Sequence, residues 1–309
     1  MDIFVQQLIN GLVLGAIYAL VALGYTMVYG ILGLINFAHG EVVMAGAMVA
    51  LSVIQLLVGS GVALPGPMIV GLGLLVAIPT CMVLGYTIER VAYRPLRGAP
   101  RLTPLITAIG VSILLQNVAM ILWGRHYHSF PPLLPATPYH VAGATINDLQ
   151  IFIVLLSGAI MAALLYLVHR TRLGCAMRAT AQNPEIAGLM GVNINTVISI
   201  TFVIGSALAA VAGVMVSAYY GIAHYFMGFM LGLKAFTAAV LGGIGNLAGA
   251  MVGGVLLGVI ESLGAGYIGD LTGGFLGSHY QDVFAFLVLI LVLTLRPSGL
   301  LGERVAERS

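Results

Sequence analysis

The chain has 309 residues, of which 60% are apolar (Ala, Val, Ile, Leu, Met, Phe, Trp, Tyr or Cys) and only 7% are charged. An ordinary soluble domain carries roughly 25% charged residues. The 12 basic and 10 acidic side chains here cannot cover the outside of a water-soluble fold of this size, so the outside is expected to be lipid. A formal net charge of +2 leaves no field for holding DNA or RNA, which excludes nucleic acid as a partner.

The first ten residues, MDIFVQQLIN, lack the basic region that opens a cleaved signal peptide, so the first apolar segment is expected to stay as a membrane helix. Crossing a bilayer takes roughly 20 mostly apolar residues. Runs of that kind are predicted near 8–31, 42–59, 67–89, 102–123, 149–169, 196–221 and 280–295. A further Gly-rich stretch, 229–265, is too long for one crossing and is interrupted by GGIGNLAGA, so it reads as two helices or half-helices. The expected class is an all-α polytopic membrane protein, one transmembrane domain over 1–309, with about 8–9 spans, some of them broken or half helices.

Basic residues mark the cytoplasmic side of such a protein. Ten of the twelve fall in three clusters: Arg90, Arg94, Arg97 and Arg101; Arg170, Arg172 and Arg178; Arg296, Arg304 and Arg308. All three are placed inside, which puts the cytoplasmic loop at 170–195 and the C-terminal tail in the cytoplasm. The Pro-rich loop 124–147, with Arg125 as its single basic residue, then faces outward. Parity of the spans places the N-terminus outside. Cys81 and Cys175 show no metal-site spacing and are expected to be free thiols.

Small residues recur four apart, as in Gly205, Ala209 and Gly213, in Gly245, Gly249 and Gly253, and in Gly254, Gly258 and Ser262. In lipid that spacing lets helix backbones approach closely. Residues 33–40 (GLINFAHG) and 243–250 (GIGNLAGA) both fit G-x-x-N-x-A-x-[GA]. Either this is an internal repeat whose Asn36 and Asn246 mark helix breaks beside a translocation path, or it is a coincidence of Gly-rich sequence. His39 and Glu41 follow the first copy between two apolar runs. A charge at membrane depth costs on the order of 3 kcal/mol, so the pair either lines a gate or sits in a turn at the membrane surface. Lys234 and Glu261, both within apolar sequence, fit an ion pair.

After the second Arg cluster, Asn183 and Pro184 read as a helix start and Gly191 as its stop. Between them Ile186, Leu189 and Met190 share one face of a two-turn helix. So short a helix needs something to dock on, either the protein's own helix ends or a partner. No phosphate loop G-x-x-x-x-G-K-[ST] is present, and His126 with His128 gives too few ligands for a metal site. No catalytic, metal or cofactor residue is assigned. Energy for transport would come from another subunit or from an ion gradient.

The stretches 22–41 (ALGYTMVYGILGLINFAHGE), 88–98 (IERVAYRPLRG), 108–117 (AIGVSILLQN), 200–214 (ITFVIGSALAAVAGV), 234–254 (KAFTAAVLGGIGNLAGAMVGG) and 296–302 (RPSGLLG) resemble, in order, the LivH-type permease subunits of bacterial high-affinity branched-chain amino acid ABC importers. The likeness runs over nearly the whole chain and is weakest at 124–147 and 264–280. It implies the ABC importer permease fold in the inner membrane, a second related permease subunit and two ATP-binding subunits that hold ATP and Mg. It also implies a periplasmic binding protein that delivers leucine, isoleucine or valine. Permeases of this kind carry a cytoplasmic E-A-A-x-x-x-G segment that docks into the ATPase. Glu185, Ala187 and Gly191 match it and Ile186 replaces the first Ala, so the resemblance makes Glu185, Ile186, Ala187, Leu189, Met190 and Gly191 a coupling helix. Alternative readings are an ABC permease for urea or short-chain amides, and a secondary transporter or channel with inverted repeats.

Overall fold

Inside a bilayer no water satisfies the backbone, so each apolar run must bond its own N–H and C=O groups, and it does so as a helix. The computed structural model describes residues 2–61, 63–100, 102–141, 143–271, 281–296 and 298–302. Arg101, Arg304, Arg308, Pro297 and most of the weakly resembling 264–280 segment lie outside the described residues.

In chain order the helices are α1 (Asp2–Leu32), α2 (His39–Gly59), α3 (Gly66–Ile88), α4 (Leu102–Trp123), α5 (Asp148–Arg170), α6 (Arg172–Gln182), α7 (Pro184–Leu189), α8 (Ile194–Tyr220), α9 (Met227–Gly242), α10 (Leu247–Leu271) and α11 (Gln281–Leu295). A π-turn, Glu89–Tyr93, and a 3₁₀ turn, Arg94–Leu96, extend α3. Two short antiparallel ribbons complete the described structure. In one, β1 (His128–Ser129) lies on β4 (Ile222–Ala223) with His128 opposite Ala223. In the other, β2 (Pro138–Val141) lies on β3 (Ala144–Asn147) with Pro138 opposite Asn147.

Among the described residues seven helical stretches are long and apolar enough to cross a membrane, and α9 and the Phe286–Leu295 part of α11 are shorter apolar helices. The protein is a polytopic all-α membrane protein, and each expected span is a helix. The 229–265 stretch divides as expected, between α9 and α10. Gly243 (φ 109°) and Gly245 (φ 94°) turn the chain there through a backbone region that a side chain disfavours. Three boundaries differ from expectation by three residues or more, one of them the end of α10, which runs to Leu271 rather than 265. The first helix starts at Asp2 rather than near residue 8, because its polar residues are satisfied in place. Gln6 exchanges hydrogen bonds with the Thr145 backbone (3.0 and 2.8 Å), Asn10 accepts one from Gln150 (3.3 Å) and Gln7 accepts one from Ser262 (2.8 Å). The second helix begins at His39, so His39 and Glu41 sit in its first turn and are buried. One helix, α6, was not expected. Thr171 starts it by accepting a hydrogen bond from the Gly174 amide (3.1 Å).

The chain divides into two compact units, one of Met1–Thr26, Ala136–Ala162 and Lys234–Ser309, the other of Met27–Pro135 and Ala163–Leu233. In the first unit α1 and α10 touch backbone to backbone: Gly11 faces Val259, Gly254 faces Ala19 and Gly258 faces Gly15. In the second unit α2, α3 and α8 pack on one another. Gly213 abuts the Val43 carbonyl, Gly46 faces Ala210 and Gly85 faces Ser206. The four-apart small residues thus serve close helix packing, which in lipid replaces hydrophobic burial as the source of association. Cys81, buried on α3, and Cys175, exposed on α6, are both free.

Candidate functional site

The segment that follows the second Arg cluster is built almost wholly from local bonds. Asn183 ends α6 and starts α7, its Oδ1 accepting from the Ile186 amide (3.0 Å), with Pro184 in the first turn of α7. At the far end the Gly191 amide bonds to the Gly188 carbonyl (3.0 Å) and the Val192 amide to the Ala187 carbonyl (3.0 Å). This paired closure requires a left-handed residue, supplied by Gly191 at φ 88°. Asn193 then starts α8 by accepting from the Thr196 amide (3.1 Å). The result is a two-turn element capped at both ends. Ala187 faces inward and is 4% exposed, whereas Ile186 (59%), Leu189 (87%) and Met190 (80%) stand in the open. Glu185, in the first turn, is exposed beside them.

A second cluster surrounds the start of α2. Glu41 is fully buried, and its Oε1 accepts hydrogen bonds from Gln116 Nε2 (2.7 Å) and Ser112 Oγ (3.1 Å), neighbours one turn apart on α4. Its Oε2 has no hydrogen-bond partner among the described residues. Gly40 is pressed against the Gly228 carbonyl and Gly232 at the start of α9, so that no side chain fits at Gly40. Asn36, buried in the break between α1 and α2, accepts a hydrogen bond from the Tyr93 hydroxyl (2.8 Å). These residues and contacts belong to the second unit.

Asn246 lies in the first unit, in the turn between α9 and α10. Its side chain caps α10 by accepting from the Gly249 amide (3.0 Å) and donates to the Leu301 carbonyl (2.8 Å). The same unit holds the Lys234–Glu261 pair anticipated from sequence, at 2.7 Å. A third member was not anticipated: Asp282 of α11 is also 2.7 Å from Lys234 Nζ. The ammonium lies 5.8 Å from the centre of the Tyr18 ring.

A further polar centre escaped sequence analysis altogether. Glu89 is fully buried in the second unit. It pairs with Arg97, lies 3.9 Å from Arg94 Nε and accepts a hydrogen bond from Ser199 Oγ of α8 (2.7 Å). Arg97 also donates to Asn195 (2.6 Å). Arg90, Arg94 and Arg97 carried only a topological signal in the sequence, and nothing there pointed to Glu89 as their partner.

Apolar helices, three buried glutamates (Glu41, Glu89 and Glu261) and an exposed helical knob describe a multi-pass membrane protein. Residues 7–293 match the family model described as "Branched-chain amino acid transport system / permease component", and the chain belongs to that family. It is 48% identical to the high-affinity branched-chain amino acid transport system permease protein BraD of Pseudomonas aeruginosa, over 99% of this chain and 98% of that protein. It is 45% identical to LivH, the protein of the same description from Escherichia coli K12, over 99% and 97%. A more distant relative is the ribose import permease protein RbsC of Escherichia coli K12, 27% identical over 93% and 92%.

Proposed function

We propose that this protein is the membrane-spanning permease subunit of an ATP-driven importer that carries leucine, isoleucine and valine across the bacterial inner membrane. Relatives at 45–48% identity over essentially full length bear that description, whereas the ribose permease stands at 27%. The observation that carries the coupling half of this reading is α7, a helix capped at both ends whose Ile186, Leu189 and Met190 are exposed. An apolar knob of that kind fits a groove on a partner protein. Here the partner is an ATP-binding subunit, one of two, which holds ATP and Mg. A second related permease subunit and a periplasmic binding protein complete the assembly.

In this reading the basic clusters and 170–195 lie in the cytoplasm and 124–147 in the periplasm. The binding protein docks outside, closure of the ATPases moves α7, and the permease pair opens its path inward. Asn36, His39, Glu41 and Asn246 are assigned to the path. Burial of the first three supports this. Asn246, engaged by its own helix and by Leu301, has the least support. The experiment is ATP hydrolysis by the reconstituted complex with its binding protein. Stimulation by leucine, isoleucine and valine is expected, and stimulation by urea, short amides or ribose instead would overturn the cargo assignment.

A further inference from the structure

We propose that the π-turn Glu89–Tyr93 is the joint through which movement of the α7 segment reaches the break between α1 and α2. This rests on the assignment of α7 as the helix that docks on an ATP-binding subunit.

The sequence explains why the turn is there. Pro95 has no N–H to donate to the carbonyl four residues back, and its ring would press on that carbonyl. The preceding turn widens instead, and the Arg94 amide bonds to the Glu89 carbonyl, five residues back. A π-turn inside a helix is a strained insertion that recurs at functional sites.

Both ends of this turn are wired. On the loop side, Asn195 sits in the first turn of α8, four residues after Gly191 closes α7. It accepts a hydrogen bond from Arg97 (2.6 Å), and Arg97 pairs with Glu89, the first residue of the π-turn. Ser199, one turn further along α8, bonds the other oxygen of the same carboxylate (2.7 Å). On the side of the break, Tyr93, the last residue of the π-turn, donates its hydroxyl to Asn36 (2.8 Å). Its ring packs 5.4 Å from that of Phe202 on α8. Glu89, Tyr93, Asn36 and Ser199 are buried, which shelters the Ser199–Glu89 and Tyr93–Asn36 bonds from competing water, whereas the Arg97–Asn195 bond is exposed. A shift of the α8 start pulls Arg97 and Glu89, and the π-turn between Glu89 and Tyr93 carries it to the bond that Tyr93 makes with Asn36. A wire of contacts is not by itself a mechanism. Coupling through it is what substitutions at its two ends, Asn195 and Tyr93, measure.

The test uses vesicles holding the full complex with its ATP-binding subunits, and reads leucine imported per ATP hydrolysed. Tyr93→Phe removes one hydroxyl at the far end and Asn195→Ala removes one acceptor at the loop end. A single hydrogen bond is typically worth a factor of about five in an equilibrium. Each variant is therefore expected to lower the ratio about five-fold by letting hydrolysis run without uptake, with wild-type amounts of bound ATPase. The double variant is expected to be no worse than either single one, because both cut the same connection. An unchanged ratio in Tyr93→Phe, or a fall that tracks loss of bound ATPase, would overturn the proposal and leave the hydroxyl a structural role. The double substitution Leu189→Glu, Met190→Glu separates the two levels. If it detaches the ATPase while Tyr93→Phe and Asn195→Ala import normally, the joint fails alone. If it leaves the complex and its import intact, the assignment of α7 fails.

Discussion

Glu41 shows how a single side chain is held where lipid would reject it. One of its oxygens accepts from both Gln116 and Ser112, and loss of a partner at a buried group costs about 1–3 kcal/mol. Gln116→Leu, which removes the 2.7 Å donor, is expected to lower the melting midpoint of the detergent-solubilised protein more than Ser112→Ala, which removes the 3.1 Å donor. Equal midpoints in both variants and the parent would show that the carboxyl does not depend on α4. Glycines divide in the same way by what surrounds them. A side chain at Gly254 would collide with the Ala19 backbone, whereas one at Gly110 would meet nothing within 4 Å. Gly254→Val is therefore expected to abolish folded protein, as judged by gel filtration. Gly110→Ala should keep or raise the midpoint, since Ala is favoured over Gly in a helix by about 0.5–1 kcal/mol.

At the scale of elements, the module Asn183 to Gly191 was legible because every bond that shapes it is local: a cap, a proline in the first turn and a left-handed glycine, all within nine residues. The break at 243–246 was legible for the same reason. The Glu89 cluster was not, because Arg97 is eight residues away and outside the reach of the three- or four-residue pairs that sequence spacing exposes. Asp282 joins Lys234 only through the meeting of α9 and α11, which no periodicity announces. That three-membered cluster makes its own prediction. Lys234→Met leaves two carboxylates without their cation, and breaking a buried pair costs about 3–5 kcal/mol. Its melting midpoint should fall well below that of the triple substitution Lys234→Met, Glu261→Gln, Asp282→Asn. The opposite order would mean that the charges contribute nothing to holding α9, α10 and α11.

For the whole molecule, the nine apolar helices of the described residues correspond to spans that hydropathy alone located. The orientation proposed for them rests on the Arg clusters and on parity. It predicts that Gly98→Cys is shielded from an impermeant thiol reagent in intact cells and that Pro132→Cys is labelled. Both positions are exposed. Cys81 is buried, so Cys175→Ser alone provides the background. The reverse labelling pattern would invert the topology. The central claim is that α7 is where a partner's ATP hydrolysis enters this permease, and it is tested most directly by Leu189→Glu, Met190→Glu. Burial of a side chain of that size stabilises by about 1.5–3 kcal/mol, so losing two weakens docking by about a hundred-fold or more. Because both side chains are exposed in the permease itself, its own melting midpoint should not move. The measurement is the amount of ATP-binding subunit that co-purifies with the permease, read beside leucine uptake in vesicles. The account predicts loss of both with the permease fold intact, and full co-purification with full uptake would contradict it.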